Sequence, residues 1–309
     1  MLQQLVDRFI AVPLVGLDLG SSRLKAIEVA ASGGRIILRR CAVVSAESGD
    51  PAGALAQLVR EVGMPSARVA VGLASPSLIV KPWHFPRMPK KELANAIQFE
   101  AEHAILNGHA LKDMFVDWHP LPSNSGESLR GLLAVVPQAV VAARLQVFIA
   151  AGLHPLLVDV EGLALWNAYW VLVGKHEPSP KTVLLINVGA QTTNLIIASG
   201  PDALLLLRDL QLGAKALEAG RSLDWVTEVR DSIGYARSQA GLRALDTAYV
   251  TGGGSGPTLI PLLKAAVPAP ATFWNPLKQL GRDAGSPSVE ESVGPLLAVA
   301  IGLALRQPT

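Results

Sequence analysis

The sequence predicts an α/β protein built from two similar lobes, and two features of the chain support this prediction. A strand, polar turn and strand unit at residues 14–30, "LVGLDLGSSRLKAIEVA", recurs at 183–199 as "VLLINVGAQTTNLIIAS". Between the two copies, "KHEPSPK" at 175–181 interrupts the apolar pattern with two prolines, as chains often do between structural units. An internal repeat of this kind indicates a duplicated architecture. We therefore expect one lobe around each copy.

The first lobe is predicted to follow a β-β-β-α-β order and to span residues 1–178. After the first unit, "GGRIILRRCAVVSAE" at 33–47 opens with a Gly-Gly turn and is rich in β-branched residues, which predicts a third antiparallel strand. "PAGALAQLVREVG" at 51–63 has the pattern of a helix, and "ARVAVGLA" at 67–74 that of a buried strand. Together these segments form one sheet with a helix on it.

The pattern changes near residue 82, where an α/β subdomain is predicted to be inserted into the first lobe over about 82–155. Its segments alternate between strand-like and amphipathic helical patterns. In order they are "KPWHFPRMP" (81–89), "KKELANAIQFEAEHAI" (90–105), "MFVDWHPLP" (114–122), "LRGLLAVVP" (129–137) and "QAVVAARLQVFIAAGL" (138–153). A buried strand and a long apolar helix then return the chain to the first lobe.

The second lobe is predicted over residues 179–289, and the segment 290–309 as a helix that returns to the first lobe. "ALLLLRDLQLG" at 203–213 follows the repeated unit as a third strand. Two helices are predicted next, "AKALEAGRSLDW" at 214–225 and "TEVRDSIGYARSQAGL" at 227–242. A strand, a glycine-rich turn and a helix follow at 248–267, and "SVGPLLAVAIGLALR" at 292–306 is the closing helix.

Composition excludes some classes of function. The 27 basic and 25 acidic residues give a formal net charge of +2 without a long basic run, so a nucleic-acid footprint is not expected. Cys41 is the single cysteine, which favours a reducing compartment over a disulfide framework.

The most apolar run, near the C-terminus, is too short to span a bilayer. We expect a cytoplasmic protein, whose amphipathic N-terminal segment (Leu2, Leu5, Val6, Phe9, Ile10) packs on its own domain.

The first turn, "DLGSSRLK", has the residue types that bind an anion. Small residues let backbone N–H groups approach a ligand and hydroxyls can donate to it, which makes Gly20, Ser21 and Ser22 candidates. Lys25 could neutralise a phosphate, and Asp18 could hold a metal ion or its waters.

Two later stretches offer the same chemistry. The second turn, "NVGAQTT", supplies Gly189, Thr192 and Thr193, with Asn187 at the position that Asp18 occupies in the first copy. The third stretch, "TGGGSG", places Gly252, Gly253 and Gly254 between a strand and a helix, where backbone can approach a nucleotide. It is not a Walker A loop, since no Lys-Ser or Lys-Thr follows.

The order of these motifs resembles the actin and Hsp70 ATPase superfamily, and several stretches resemble the PilM family of type IV pilus assembly proteins. They are "GLDLGSSRLKAIEV", "RMPKKELANAIQFEAEHAI", "FIAAGLHPLLVDVEGLAL", "TGGGSGPTLIPLL" and "WNPLKQL". The resemblance extends from Leu14 to Arg306. It implies a two-lobed actin-like, ribonuclease H-like ATPase fold of the FtsA-like branch, with the inserted subdomain in the first lobe.

The resemblance also implies ligands and a partner. ATP with Mg²⁺ would lie in the cleft between the lobes, with Asp18 as the metal-side residue. The cytoplasmic N-terminal peptide of a PilN-like inner-membrane protein would dock near the inserted subdomain and bring this cytoplasmic protein to the inner membrane. Self-association is left open, and the peptide-contacting residues are not assigned. By position, the first-phosphate residues are Asp18, Gly20, Ser21, Ser22 and Lys25, the second-phosphate residues Asn187, Gly189, Thr192 and Thr193, and the adenosine loop Gly252, Gly253 and Gly254.

Asn187 departs from the family pattern, which has Asp at this position. An amide keeps hydrogen bonds but carries no charge and cannot act as a base, so both metal orientation and proton transfer would be weaker. The sequence therefore predicts a nucleotide-responsive scaffold with weak or absent ATPase activity and no assigned catalytic residue.

Other functions remain open at this point. A sugar or acid kinase shares the two-lobed architecture and needs a catalytic Asp, for which Asp159 lies in the right stretch but suits a strand end equally well. A cytoplasmic component of a type II secretion or MSHA-type pilus system is a second alternative. An FtsA-like division protein would be expected to end in a basic amphipathic helix, unlike "GLALRQPT".

Overall fold

The structure is a computed structural model that describes residues 14–46, 49–63, 68–105, 110–122 and 127–306. The amphipathic segment predicted at the N-terminus lies outside these residues. No helix within the described ranges is both long and apolar enough to cross a membrane.

The first lobe is built on a five-stranded sheet of order β3-β2-β1-β4-β8. Its first three strands form the predicted antiparallel meander, in which Gly33 and Gly34 make the β2–β3 turn with φ of 57° and 75°. The positive φ angles explain why two glycines stand there. β4 and β8 add in parallel. The strands are β1 (Val15–Leu19), β2 (Arg23–Ser32), β3 (Arg35–Ser45), β4 (Val69–Leu73) and β8 (Leu157–Val160).

Helix α1 (Pro51–Val62) covers one face of this sheet. Asp50 caps its N-terminus by accepting a hydrogen bond from the Gly53 N–H at 2.9 Å, and Gly63 ends the helix in the left-handed region with φ of 61°. An N-cap Asp and a left-handed Gly after the last turn are the usual residues at the two ends of a helix. The apolar side of α1 packs with Leu55 and Leu58 in the core beneath β1 and β4.

The inserted subdomain has a three-stranded antiparallel sheet of order β5-β7-β6. Helix α2 packs on one face of it through Leu93, Ile97 and Ala101. β5 and β6 are edge strands because β7 lies between them. The elements are β5 (Ile79–Pro86), α2 (Lys90–Ala104), β6 (Met114–Leu121), β7 (Ser128–Pro137) and α3 (Gln138–Ala150), after which β8 leads into α4 (Glu161–Leu172).

The second lobe repeats the sheet of the first, since its order β11-β10-β9-β12-β13 combines an antiparallel meander with two parallel strands. The internal repeat predicted from the two turns is therefore confirmed. Its elements are β9 (Thr182–Val188), β10 (Thr193–Ser199), β11 (Leu204–Leu210), α5 (Ala214–Glu218), α6 (Ser222–Gln239), β12 (Thr247–Thr251), α7 (Ile260–Ala266) and β13 (Ala271–Phe273).

Two predicted helices have different bounds in the structure. The helix expected over 214–225 is wrong as one element, because α5 ends at Glu218, Gly220 turns the chain with φ of 82°, and α6 begins at Ser222. The closing helix begins later than expected, since Glu291–Leu297 is a 3₁₀ segment containing Pro295 and only Ala298–Ala304 is α-helical (α8). A proline inside a helix removes a backbone donor, which explains the irregular start.

Helix α8 is fully buried and packs against α4 and β1 of the first lobe. The approach is close enough that an added Cβ at Gly302 would overlap the Ala164 carbonyl group, and one at Gly16 would overlap the Ala300 carbonyl oxygen. The return of this segment to the first lobe thus depends on glycine at both contacts. The boundaries given above for the lobes and the inserted subdomain stay predictions.

Candidate functional site

The first turn joins β1 to β2 and places two of the candidate residues in contact. Lys25 Nζ lies 2.9 Å from Asp18 Oδ2, and their side chains are only 12% and 8% exposed. The two residues are directly opposite in the β1–β2 register, which explains the pairing. Each charge is therefore balanced by the other, and Lys25 holds the Asp18 carboxylate in place.

The backbone of this turn is tightly enclosed at Gly20. A Cβ there would lie 2.5 Å from Lys25 Nζ and 2.9 Å from the Arg23 carbonyl oxygen. Ser21 is exposed and Ser22 half-buried. The two serines of the turn are therefore at least partly open to solvent, and their role as ligand residues stays a prediction.

The second turn is held to helix α5 by its backbone. The Gly189 N–H donates to the Thr192 carbonyl at 2.8 Å, and the Ala214 N–H donates to the Gly189 carbonyl at 2.9 Å. The two predicted threonines differ in their surroundings. Thr192 is half-buried, whereas Thr193 is fully buried, donates to the Leu212 carbonyl at 2.6 Å and accepts from Trp225 Nε1 at 3.2 Å.

The glycine turn after β12 lies directly on the end of β9. Gly252 has φ of 95° and donates its N–H to the Pro295 carbonyl at 3.0 Å. A Cβ at Gly252 would lie 2.6 Å from Asn187 Oδ1, and one at Gly254 would lie 2.7 Å from Val188 Cγ1. Both positions need glycine, because the backbone of the glycine turn packs directly on the end of β9.

A cavity of about 610 Å³ lies between the two lobes where these turns meet. It brings together Ser22 of the first turn with Gly253 and Gly254 of the third, and Ala190 represents the second turn. Its volume falls in the range of small-molecule sites. The full lining is Ser22, Arg23, Ala190, Ala214, Lys215, Glu218, Gly253, Gly254, Glu290, Ser292, Val293 and Leu296.

Sequence reasoning missed several of these lining residues. Lys215 and Glu218 lie on α5, and Glu290, Ser292, Val293 and Leu296 come from the segment before α8. The signal for α5 was available, because a charged pair on a short helix directly follows the third strand of the repeat. The contribution of 290–296 depends on how the chain returns across the cleft, which a local pattern does not show.

Glu161 was also missed as a site residue. It begins helix α4, its side chain is 12% exposed, and Arg144 Nη2 lies 3.7 Å from its Oε1. Burial raises the pKa of the Glu161 carboxyl to about 8, and the nearby carboxylates of Asp18 and Asp209 add to the rise. Arg144 also donates to the Leu19 carbonyl at 3.3 Å, so it links Glu161 to the first turn.

Asn187 belongs to a line of three hydrogen-bonded side chains across β9, β10 and β11. Asn187 Nδ2 donates to Asn194 Oδ1 at 2.7 Å, and Asn194 Nδ2 donates to Asp209 Oδ1 at 2.7 Å. The three residues are opposite one another in the sheet register. Burial raises the pKa of Asp209, and the hydrogen bond from Asn194 opposes that rise.

The described residues do not form a protein-only metal centre, because no three His, Cys, Asp or Glu side chains among them converge on one point. This arrangement still suits Mg²⁺ with a nucleotide, since Mg²⁺ is usually held by one or two carboxylates together with phosphate oxygens and water. Asp18 is the buried carboxylate on the first turn that could serve in this way.

A second cavity, of about 440 Å³, lies between the inserted subdomain and the first lobe, and we call it the subdomain groove. Edge strands β6 and β8 border it, and its polar groups include Asp117, His119 and Asp159. Arg306 Nε lies 2.5 Å from Asp159 Oδ2. The Trp166 indole N–H in its wall is buried without a hydrogen-bond partner among the described residues.

A family model described as "Type IV pilus assembly protein PilM" matches residues 16–220, which is more than half of the chain. The chain belongs to this PilM family. A solved structure titled "PilM-PilN type IV pilus biogenesis complex" is 25% identical to it, with a TM-score of 0.78, and covers 96% of this chain and 99% of that one. The actin-like two-lobed fold expected from the sequence is thereby confirmed.

A more distant structural match to this PilM-family protein is the cytoplasmic domain of EpsL, an inner-membrane component of the type II secretion system of Vibrio cholerae. It is 14% identical with a TM-score of 0.49, over 96% of this chain and 97% of that one. An archaeal actin homologue, Ta0583, is 13% identical with a TM-score of 0.42, over 95% and 98% of the two chains.

Proposed function

We propose that this PilM-family protein is a nucleotide-binding scaffold of the type IV pilus assembly platform at the inner membrane. In this proposal ATP binds in the interlobe cleft, and a separate surface docks the N-terminal peptide of a PilN-like membrane protein. The observation that carries the nucleotide part is the 610 Å³ cavity in which the first turn, the second turn and the glycine turn meet.

The phosphates of the nucleotide would lie between the first two turns. We assign Gly20, Ser21, Ser22, Gly189 and Thr192 as the residues that contact these phosphates. Asp18, held by Lys25, and Asn187 would face the Mg²⁺ ion, and Gly252, Gly253 and Gly254 would contact the adenosine. The Thr193 hydroxyl is not assigned to the phosphates, because its hydrogen bonds to the Leu212 carbonyl and from the Trp225 indole lie in the core of the second lobe.

Hydrolysis is expected to be slow or absent. Asn187 carries no charge with which to orient the metal's waters and cannot accept a proton. Glu161 keeps its proton near neutral pH in the ligand-free protein, because its pKa is raised to about 8. A protonated carboxyl cannot act as a general base. The cleft is therefore better suited to holding a nucleotide than to turning it over.

The subdomain groove is our candidate for the partner peptide. Among the strands of the described ranges, β6 and β8 each pair on one side only, so an extended peptide could add to either edge by backbone hydrogen bonds. The Trp166 indole N–H in the wall is a buried donor without a partner among the described residues. A neighbouring cavity of about 850 Å³ shares Val80, Leu121 and Leu132 with the groove, which gives an extended segment room to continue.

The kinase alternative requires Asp159 near the reacting phosphate. Instead, Asp159 lies in the subdomain groove and is paired with Arg306, and it does not line the interlobe cavity. This geometry favours the scaffold proposal.

The nucleotide part is tested by calorimetric titration of ATP with and without Mg²⁺, followed by phosphate release on the same sample. We expect binding with negligible release, and faster release for Asn187→Asp. Absence of binding would overturn the nucleotide part, and fast release by the wild-type protein would overturn the role given to Asn187.

The peptide part is tested separately by titrating a peptide that copies the cytoplasmic N-terminus of a PilN-like protein. Trp166→Phe removes the indole donor but keeps most of the aromatic area, and we expect it to weaken binding. Trp274→Phe is the matched control, because Trp274 donates to Gln279 Oε1 and does not line the groove. Equal effects of the two variants would contradict this placement.

A further inference from the structure

The direction of the hydrogen bonds in the Asn187–Asn194–Asp209 line is fixed at one end. Asn194 turns its NH₂ group toward Asp209 Oδ1, and this is the one orientation that an ionised Asp209, which can only accept, would allow. The Asn194 oxygen then faces Asn187, which must donate its own NH₂ group to it. Each amide orientation follows from the one before it, starting from Asp209.

The other end of the line is an unused oxygen. With its NH₂ group given to Asn194, Asn187 presents Oδ1 on the opposite side, next to Gly252 of the glycine turn. Asn187 is half-buried, and its Oδ1 accepts no hydrogen bond from the residues that the structure describes. The position that has lost a carboxylate therefore still presents an acceptor oxygen, without a charge.

We infer that Asp209 is a positioning residue of the nucleotide site, which locks the Asn187 amide so that its oxygen faces the glycine turn beside the cavity. This inference rests on the proposed function. An amide oxygen can accept from a water bound to Mg²⁺, whereas the flipped amide would present NH₂ and repel a cation. Asp209, which lies two strands away from Asn187, would thus raise the affinity for nucleotide with Mg²⁺ relative to the affinity for nucleotide alone.

The burial and the hydrogen-bond partners of Asn194 and Asp209 fit this role. Asn194 is 2% exposed, so its amide cannot satisfy itself with bulk water and must use its two neighbours. Asp209 is part-buried and bonds to Asn194 rather than to a basic side chain in the described part of the chain. None of Asn187, Asn194 and Asp209 lines the cavity directly; Asn187 lies behind Gly252 of the glycine turn, whose Gly253 and Gly254 do line it.

The inference is tested with Asp209→Asn, which keeps the shape but can serve in either amide orientation. The ratio of ATP affinity with Mg²⁺ to that without Mg²⁺ is measured by calorimetry. We expect this ratio to fall about 10-fold, as for other residues that orient a metal-binding group indirectly. Asp224→Asn is the control, because it removes the same charge from an exposed pair on α6 in the same lobe. An unchanged ratio in Asp209→Asn would overturn the inference.

A second measurement needs no nucleotide. The side-chain amide signals of Asn187 and Asn194, assigned through Asn187→Asp and Asn194→Asp, are followed by NMR in the ligand-free protein. We expect one slowly exchanging set in the wild type and broadened or doubled signals in Asp209→Asn. Unchanged signals would overturn the locking role. If the signals change but the wild type binds no ATP, the proposed function fails while the locking of Asn187 stands.

Discussion

Gly302 of α8 lies so close to Ala164 of α4 that the carbonyl group of Ala164 occupies the space of a missing Cβ. Both elements belong to the core shared by the two lobes, which also holds Tyr169, Tyr249 and Trp274 in mutual ring contact. The closing helix is therefore fixed by backbone contact as well as by apolar side chains.

Gly302→Ala should destabilise the protein by about 3 kcal/mol or more, because overpacking of a rigid backbone contact costs at least the upper part of the usual range. Chemical denaturation would measure the free energy of unfolding. Gly234→Ala is the control, since a Cβ there meets nothing within 4 Å on an exposed face of α6. That change should stabilise by about 1 kcal/mol through helix propensity. A neutral Gly302→Ala would show that α8 shifts freely.

Thr193→Val should destabilise the second lobe by about 1–3 kcal/mol, because the Leu212 carbonyl and the Trp225 indole N–H would each lose a partner inside the core. Thr193→Ser keeps the hydroxyl and should cost less. Urea denaturation of both variants would compare the two costs. If Thr193→Val weakened ATP binding without changing stability, Thr193 would be a ligand residue as first predicted.

The stability of the wild type relative to Glu161→Gln should fall as pH rises from about 4.5 to about 8. In this window the folded protein holds a proton on Glu161, whose pKa is raised to about 8, whereas the unfolded chain has released it. Because the folded state then binds more protons, raising the pH favours unfolding. Thermal melts of both proteins across this range would show it, and a difference that is flat with pH would contradict the burial of this carboxyl.

Arg306→Gln should cost measurable stability, about 1–3 kcal/mol, since it leaves the Asp159 carboxylate, 13% exposed, without its cation. Arg39→Gln is the matched control, because Arg39 and Asp283 form an ion pair in which both side chains are well exposed. Such surface pairs contribute about 0–1 kcal/mol. Equal effects in denaturation would mean that the groove pair is also solvated.

The sheets and the internal repeat could be predicted from the sequence because apolar strands and glycine turns are local signals. Candidate residues in the three turns could be proposed for the same reason, and of these Ser22, Gly253 and Gly254 line the interlobe cavity. The arrangement of Glu161 and Asp209 could not be predicted, since Glu161 comes near Asp18 of the first turn, and near Asp209, only when separate strands and helices pack together. The break at Gly220 was missed because apolar periodicity continues through it.

Thr193 shows the limit of motif reasoning within a turn. Its neighbour Thr192 lies in the turn and is half-buried, whereas Thr193 begins β10 and bonds to Trp225 inside the core. Two adjacent hydroxyls in one motif therefore have different environments, because the strand begins between them.

The burial of Trp225 beneath the second turn makes it an optical reporter of that turn. Its indole N–H bonds to Thr193, one residue from the predicted phosphate contact of Thr192, whereas Trp166 lies in the wall of the subdomain groove. Emission from a protein that retains only Trp225 would follow the cleft, and emission from one that retains only Trp166 would follow the groove. The two surfaces can thus be followed separately, each in its own single-tryptophan variant, without attaching a label to either.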